Sequence, residues 1–224
     1  MFKNLFELSG YLLWYISILL LVIGIIVQLI YRKSSLFKWG ITYFFFLLSM
    51  EASSVLLYVF GITVNTMYLR SISPFVSFSF IMYLYLNFFY KIDKKRIIVF
   101  LLISLLPLLI QFNTGHNPIS YQSYDRMIYS MFLMALSMRD IYLIIAGKVS
   151  YSKLRLFLGN AILLFYSFET LVSIPSNFLL NGEQDLVLWI WSLRAIVLQC
   201  YYVALIIFIK NSGRISSSFL LDSR

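Results

Sequence analysis

The chain has 224 residues, of which 61% are hydrophobic, 19% aromatic and only 12% charged, against about 25% charged for an ordinary soluble domain. That balance excludes a soluble globular composition. The formal charge of +9 does not point to nucleic acid either, because the basic residues sit in short breaks between apolar runs and not on one solvated face.

Apolar runs of 18 or more residues with few charges read as membrane spans, since about 20 residues of helix cross a hydrocarbon core of roughly 30 Å. The first run covers residues 10–31. Its length of about 20 exceeds the 7 to 15 apolar residues of a cleavable signal, so a retained helix is expected. Further runs follow at 39–62, 67–90, 97–113, 127–147, 155–180 and 186–209, the fourth being the shortest. Backbone polar groups find no water in lipid, so spans must be helices or a closed barrel, and runs without two-residue alternation argue for helices. The expected fold class is all-α, a polytopic seven-transmembrane-helix bundle over residues 1–210. A cytoplasmic tail of 211–224 follows, whose serines read as flexible up to a short amphipathic FLL.

The breaks give an orientation. RKSSLFK follows the first span, KIDKKR the third and KVSYSKLR the fifth, and the tail holds Lys210, Arg214 and Arg224. The opposite breaks, TVNTMYLRSISP, NTGHNPISYQSYDR and NGEQD, are neutral or acidic by comparison. Cytoplasmic loops collect Lys and Arg, which places the N-terminus outside and the C-terminus in the cytoplasm. The Ile, Lys, Phe, Tyr and Asn bias suggests an AT-rich bacterial genome and hence a bacterial cytoplasmic (inner) membrane.

Ionisable groups within spans cost free energy, about 2.5 to 3.5 kcal/mol each at a helix centre, so Glu51, Arg139, Asp140, Glu169 and Arg194 are singled out. At about 1.5 Å per residue, Glu51, Glu169 and Arg194 share one layer, about 9 to 12 Å below the outer surface of a roughly 30 Å core. Only the NGEQD turn joins the last two spans, so Glu169 is expected to meet Arg194, with Glu51 as a possible third member. Such a cluster would either line an outward cavity, as a small-ligand site or a protonation switch, or only fix helix packing. Pro175 would bend the mouth of the sixth span. Arg70, ahead of a helix-starting Pro74, is expected at the interface, facing the same cavity. Arg139 and Asp140 lie deeper, about 18 Å from the outer end of the fifth span, and are expected to face different helices, in helix packing or a polar path.

Trp14, Trp39, Tyr90, Trp189 and Trp191 read as interface anchors. Ser49, Ser53, Asn87, Asn160 and Ser167 read as interhelical hydrogen-bond partners, and Cys200 as a packing residue. Catalysis is disfavoured. The one histidine, His116, lies in an outer loop, which fits neither a zinc hydrolase nor a bis-histidine haem protein. A retinal protein needs a lysine within the seventh span, where Arg194 stands instead, and no phosphate loop or serine-nucleophile motif is present. No metal, cofactor or nucleic-acid partner is expected.

The stretch SPFVSFSFIMYLYLNFFYKIDKKRIIVFLLISLLPLLIQFNTGHNP resembles the seven-helix sensor region at the N-terminus of some bacterial histidine kinases and regulators. There an outer-leaflet proline precedes a Tyr-rich span, then a basic loop, then a span ending near a Leu-Pro pair and an outer loop. Pro74, KIDKKR, Pro107 and NTGHNP take these places. Such receptors continue into a kinase, DNA-binding or cyclase domain, whereas this sequence stops at Arg224. The resemblance implies a stand-alone receptor or sensor that signals through a separate cytoplasmic or membrane protein partner. Two other readings stand beside it: a channel or transporter subunit with a polar path through Glu51, Asp140 and Glu169, and a membrane scaffold for an operon-encoded complex.

Overall fold

The computed structural model describes residues 2–31, 37–59, 67–90, 92–114, 124–149, 152–179 and 184–221. Every regular element among them is helical: α1 (Phe2–Ile30), α2 (Phe37–Val59), α3 (Met67–Tyr83) continued by a π turn (Leu84–Phe89), α4 (Lys94–Ile103), α5 (Leu105–Thr114), α6 (Tyr124–Ile145), α7 (Lys153–Leu179) and α8 (Gln184–Leu221). Four helices are long and apolar enough to cross a membrane, through Leu12–Ile30, Arg126–Ile145, Lys153–Ser173 and Trp189–Ser212.

The ends and breaks have local causes. Proline has no N–H and crowds the carbonyl four residues back, and Pro107 sits four residues beyond Ile103, where α4 gives way to a one-residue turn at Ser104 before α5 begins. The Ser104 carbonyl accepts a 2.7 Å hydrogen bond from the Tyr129 hydroxyl, so the break is tied to α6. At the other end of α6, Gly147 takes φ +67°. Its N–H bonds the Ile144 carbonyl, and the Lys148 N–H bonds that of Leu143. That is the paired pattern of a glycine C-terminal cap, and it turns the chain so that α7 returns along α6.

Helix packing forms a closed ring, in which α1 touches α2, α2 touches α3, α3 touches α6, α6 touches α7, α7 touches α8 and α8 returns to α1. The α4–α5 pair lies outside the ring against α3 and α6. Aromatic side chains fill the centre: Tyr43 stacks on Phe80 with centroids 4.2 Å apart, and Phe165 on Tyr201 at 4.4 Å. Where α1 meets α2, a Cβ on Gly24 would press to 2.7 Å from the Phe44 ring, so glycine permits this approach. The outward surface is the reverse of a soluble protein's, with Leu12, Phe45, Ile98, Leu164 and Leu171 all exposed.

Several expectations change. Helix α1 begins at Phe2, ahead of residue 10, and α8 continues through the serines to Leu221 where a flexible tail was expected. The expected fourth span is two helices. Pro74 lies inside α3, seven residues past its start, and is not a helix-start proline. Arg70 belongs to the first turn of α3, while its side chain lies outside the described residues, as do the Pro175 side chain and His116. Helix α7 carries Pro175 within it and stays helical to Leu179. Cys200 is exposed. Ser49 and Ser53 bond back to the carbonyls of Phe45 and Ser49 in their own helix, because a short hydroxyl reaches the previous turn more readily than a neighbouring helix, and the Asn87 amide donates to the Tyr83 hydroxyl one turn back.

Replacing Gly147 by alanine places a Cβ in the left-handed region at a cost of about 1 to 2 kcal/mol. The variant is expected to melt below the parent in lipid nanodiscs, and an unchanged midpoint would show that the cap does not set the α6–α7 turn.

Candidate functional site

A cavity of ≈ 270 Å³ lies within one end of the helix ring. Five helices line it: α2 with Glu51, α3 with Ser73, Pro74 and Ser77, α6 with Arg126 and Tyr129, α7 with Glu169, and α8 with Trp191 and Arg194. The helical period explains the convergence. Tyr43, Leu47, Met50 and Glu51 recur at three- and four-residue spacing on the inner face of α2, as do Trp191, Arg194, Leu198, Tyr201 and Tyr202 on α8.

Glu169 is the centre of the cluster and is only 3% exposed. Arg194 Nε lies 2.7 Å from its Oε1 and Arg126 Nε lies 4.0 Å from its Oε2. The close Arg194 contact is an ion pair without hydrogen-bond alignment. Neither Glu169 oxygen nor Arg194 Nε has a properly directed partner among the described residues. The Arg194 guanidinium also covers the Trp191 ring, 5.2 Å from its centroid. The hydroxyls of Tyr166 and Tyr201 are buried in the same wall.

Glu51 faces the cavity from the opposite side of the ring. It accepts a 3.1 Å hydrogen bond from Trp14 Nε1, so Trp14 acts as a donor to a carboxylate. Helix α1 is also fastened to α8, where Gln199 Nε2 donates to the Leu13 carbonyl at 2.7 Å. The structure therefore gathers three of the sequence-selected residues, Glu51, Glu169 and Arg194, around one space, with Glu169 and Arg194 in direct contact.

Asp140 and Arg139 part company, as neighbours on a helix do. Arg139 is exposed. Asp140 is wholly buried and is gripped by Arg155 of α7, through Nε at 2.9 Å and through a second nitrogen on the other oxygen. The Tyr90 hydroxyl adds a 2.8 Å hydrogen bond to Asp140. Arg155 lies 4.7 Å from the Phe89 centroid and 5.1 Å from that of Tyr90, two aromatics delivered by the π turn. This is a saturated, bidentate buried pair.

Two residues of these clusters were missed in the sequence. By sequence Arg155 closes the basic break KVSYSKLR and Arg126 closes the outer break NTGHNPISYQSYDR. Both lie in the first turns of helices, where only the identity of the facing residue separates a solvated cation from a buried one. One signal was present: the separation of 126 from 140 on α6 equals that of 155 from 169 on α7, with the signs reversed.

No family model matches the chain, no curated protein matches it and no solved structure matches it. Among the described residues no three of His, Cys, Asp and Glu gather as a metal site.

Truncating Asp140 to alanine strands the Arg155 guanidinium in a buried place, a loss of about 3 to 5 kcal/mol for a broken buried pair. Thermal unfolding in nanodiscs is expected to show that loss. The exchanged pair, Asp140→Arg with Arg155→Asp, should be more stable than either single exchange. A double variant that merely adds the two losses would show the residues to be uncoupled.

Proposed function

We propose that the chain is a seven-span receptor or sensor of a bacterial cytoplasmic membrane, with its N-terminus outside. It binds a small polar ligand in the cavity and passes the binding event to a separate protein at the cytoplasmic face. The three crossings beyond the four self-evident ones are α2, α3 with its π turn, and α4 joined to α5. The observation that carries the reading is Glu169, a buried carboxylate beside a cavity whose oxygens accept no hydrogen bond from a described residue. Its contacts with Arg194 and Arg126 offset the charge, but an aligned hydrogen bond to a charged group is worth about 1.5 to 3 kcal/mol, and a ligand supplying donors adds it.

The boundary of the cavity supports sensing over conduction. Its lining stops short of Asp140. Between the two clusters Tyr85, Leu133, Ser137, Leu158 and Ile162 are fully buried, so the polar path of a channel is interrupted by packed side chains. A route for a signal exists instead along α6 and α7, which carry both clusters about 21 Å apart. A rotation or slide of α7 that follows Glu169 also moves Arg155 against Asp140 and Tyr90. The resemblance of the third and fourth spans to kinase sensor regions fits the same reading.

Two measurements test it. A thermal-shift screen of small polar metabolites on the chain in nanodiscs should yield a ligand that raises the melting point by several degrees. Saturation at about 100 times Kd contributes about 2.7 kcal/mol, and Arg194→Ala should abolish the shift while still inserting into membranes. A screen without any such ligand, or a shift that survives in Arg194→Ala, would overturn the reading. For orientation, green fluorescent protein fused after Arg224 should fluoresce in cells and alkaline phosphatase at the same point should be inactive; the opposite pattern reverses the topology.

A further inference from the structure

Among the described residues the lining charges are two carboxylates and two guanidiniums, Glu51 and Glu169 against Arg126 and Arg194, which sum to zero. Charge of each sign nevertheless retains hydrogen-bonding capacity. On the anionic side, Glu51 is met by a neutral indole N–H, and Glu169 is held by arginine contacts without an aligned hydrogen bond. On the cationic side, Arg194 meets Glu169 through Nε and lies against Trp191 by its face. The terminal Nη edge stands outside that Nε contact. A guanidinium held by one edge and one face offers its remaining edge as a fork for a planar anion.

We propose that the ligand is a small zwitterion of the amino-acid kind, its carboxylate on the Nη edge of Arg194 and its ammonium among Glu51 and Glu169. This rests on the cavity being a ligand site, as argued above. A ligand with net charge would leave an uncompensated charge in a largely buried space, which is costly, whereas a zwitterion answers both poles and keeps the sum at zero. The remaining wall is aromatic, with Tyr43, Phe165, Tyr166, Tyr201 and Tyr202; ring faces favour an ammonium group and accept an apolar side chain. The size agrees: ≈ 270 Å³ falls just below the range of about 300 to 1,000 Å³ for drug-sized ligand pockets, as a ligand the size of an amino acid requires.

The test uses the full chain in nanodiscs and measures Kd by calorimetry for each of the twenty standard amino acids. For the tightest, the amide, which masks the carboxylate, and the N-acetyl derivative, which masks the amine, are measured alongside it. At least one amino acid is expected to bind, with each masked form at least tenfold weaker. Glu51→Gln should weaken the amino acid at least tenfold while binding of its N-acetyl derivative stays unchanged. Arg194→Lys, which keeps the charge but loses the fork, should weaken the amino acid and leave its amide unchanged. A masked form that binds as tightly as the parent, or no binding by any of the twenty, overturns the proposal. If the metabolite screen still returns an Arg194-dependent ligand that carries a single charge, the zwitterion is wrong and the cavity reading survives; if it returns none, both fall.

Discussion

Two ion contacts of opposite polarity set the register between α6 and α7, and the cavity depends on that register. Arg126 of α6 faces Glu169 of α7 at one end, and Asp140 of α6 faces Arg155 of α7 at the other. The helices run antiparallel, and the spacing between the two rungs is fourteen residues on each. Sliding one helix by a turn would break both rungs at once and separate Asp140 from Arg155 in a low-dielectric interior, where an uncompensated charge is strongly unfavourable. The turn capped at Gly147 brings the helices together, and the rungs hold them in one alignment. Helices α3 and α8 then pack against the two flanks and complete the wall around Glu169.

The rungs differ in how fully they are satisfied. At the Asp140 end the carboxylate receives two bonds from Arg155 and one from Tyr90, and aromatic rings cover the guanidinium. The π turn matters here: its wider winding, in which the Tyr90 N–H reaches back five residues to Tyr85, re-aims Phe89 and Tyr90 toward the pair. A π turn within a helix is an uncommon and costly irregularity that tends to sit at functional positions. At the Glu169 end the same residue types meet a second arginine, an open volume and no aligned donor. One end of the α6–α7 pair is thus closed by its own hydrogen bonds, and the other is held by ion contacts without them.

How far the site could be read in the sequence varies from residue to residue. Glu169 and Arg194 were legible because depth in a helical span is simple arithmetic and a short turn forces neighbouring spans to be antiparallel. Glu51 fell at the same depth, yet its partner is the indole of Trp14, which no spacing argument selects because the two residues lie on different helices. Arg126 and Arg155 were hidden by their positions near span ends, where cations ordinarily reach out to water. Ser49 and Ser53 look identical to interhelical bridges in sequence, but their hydroxyls return to their own backbone.

Composition and the length of the apolar runs determined, without any structure, that the chain is helical and built from segments long enough to cross a membrane. They also ranked its few ionisable groups along the helix axes. These are local properties, fixed by the number of residues per ångström of helix and by the cost of an unpaired backbone in lipid. The tertiary structure alone decided which face of each helix turns inward, that six helices close into a ring with α4 and α5 outside it, and that Asp140 is saturated while Glu169 is not. Azimuth and partner choice depend on contacts between residues far apart in the chain, and sequence spacing within one helix carries no information about the side chain waiting on the next.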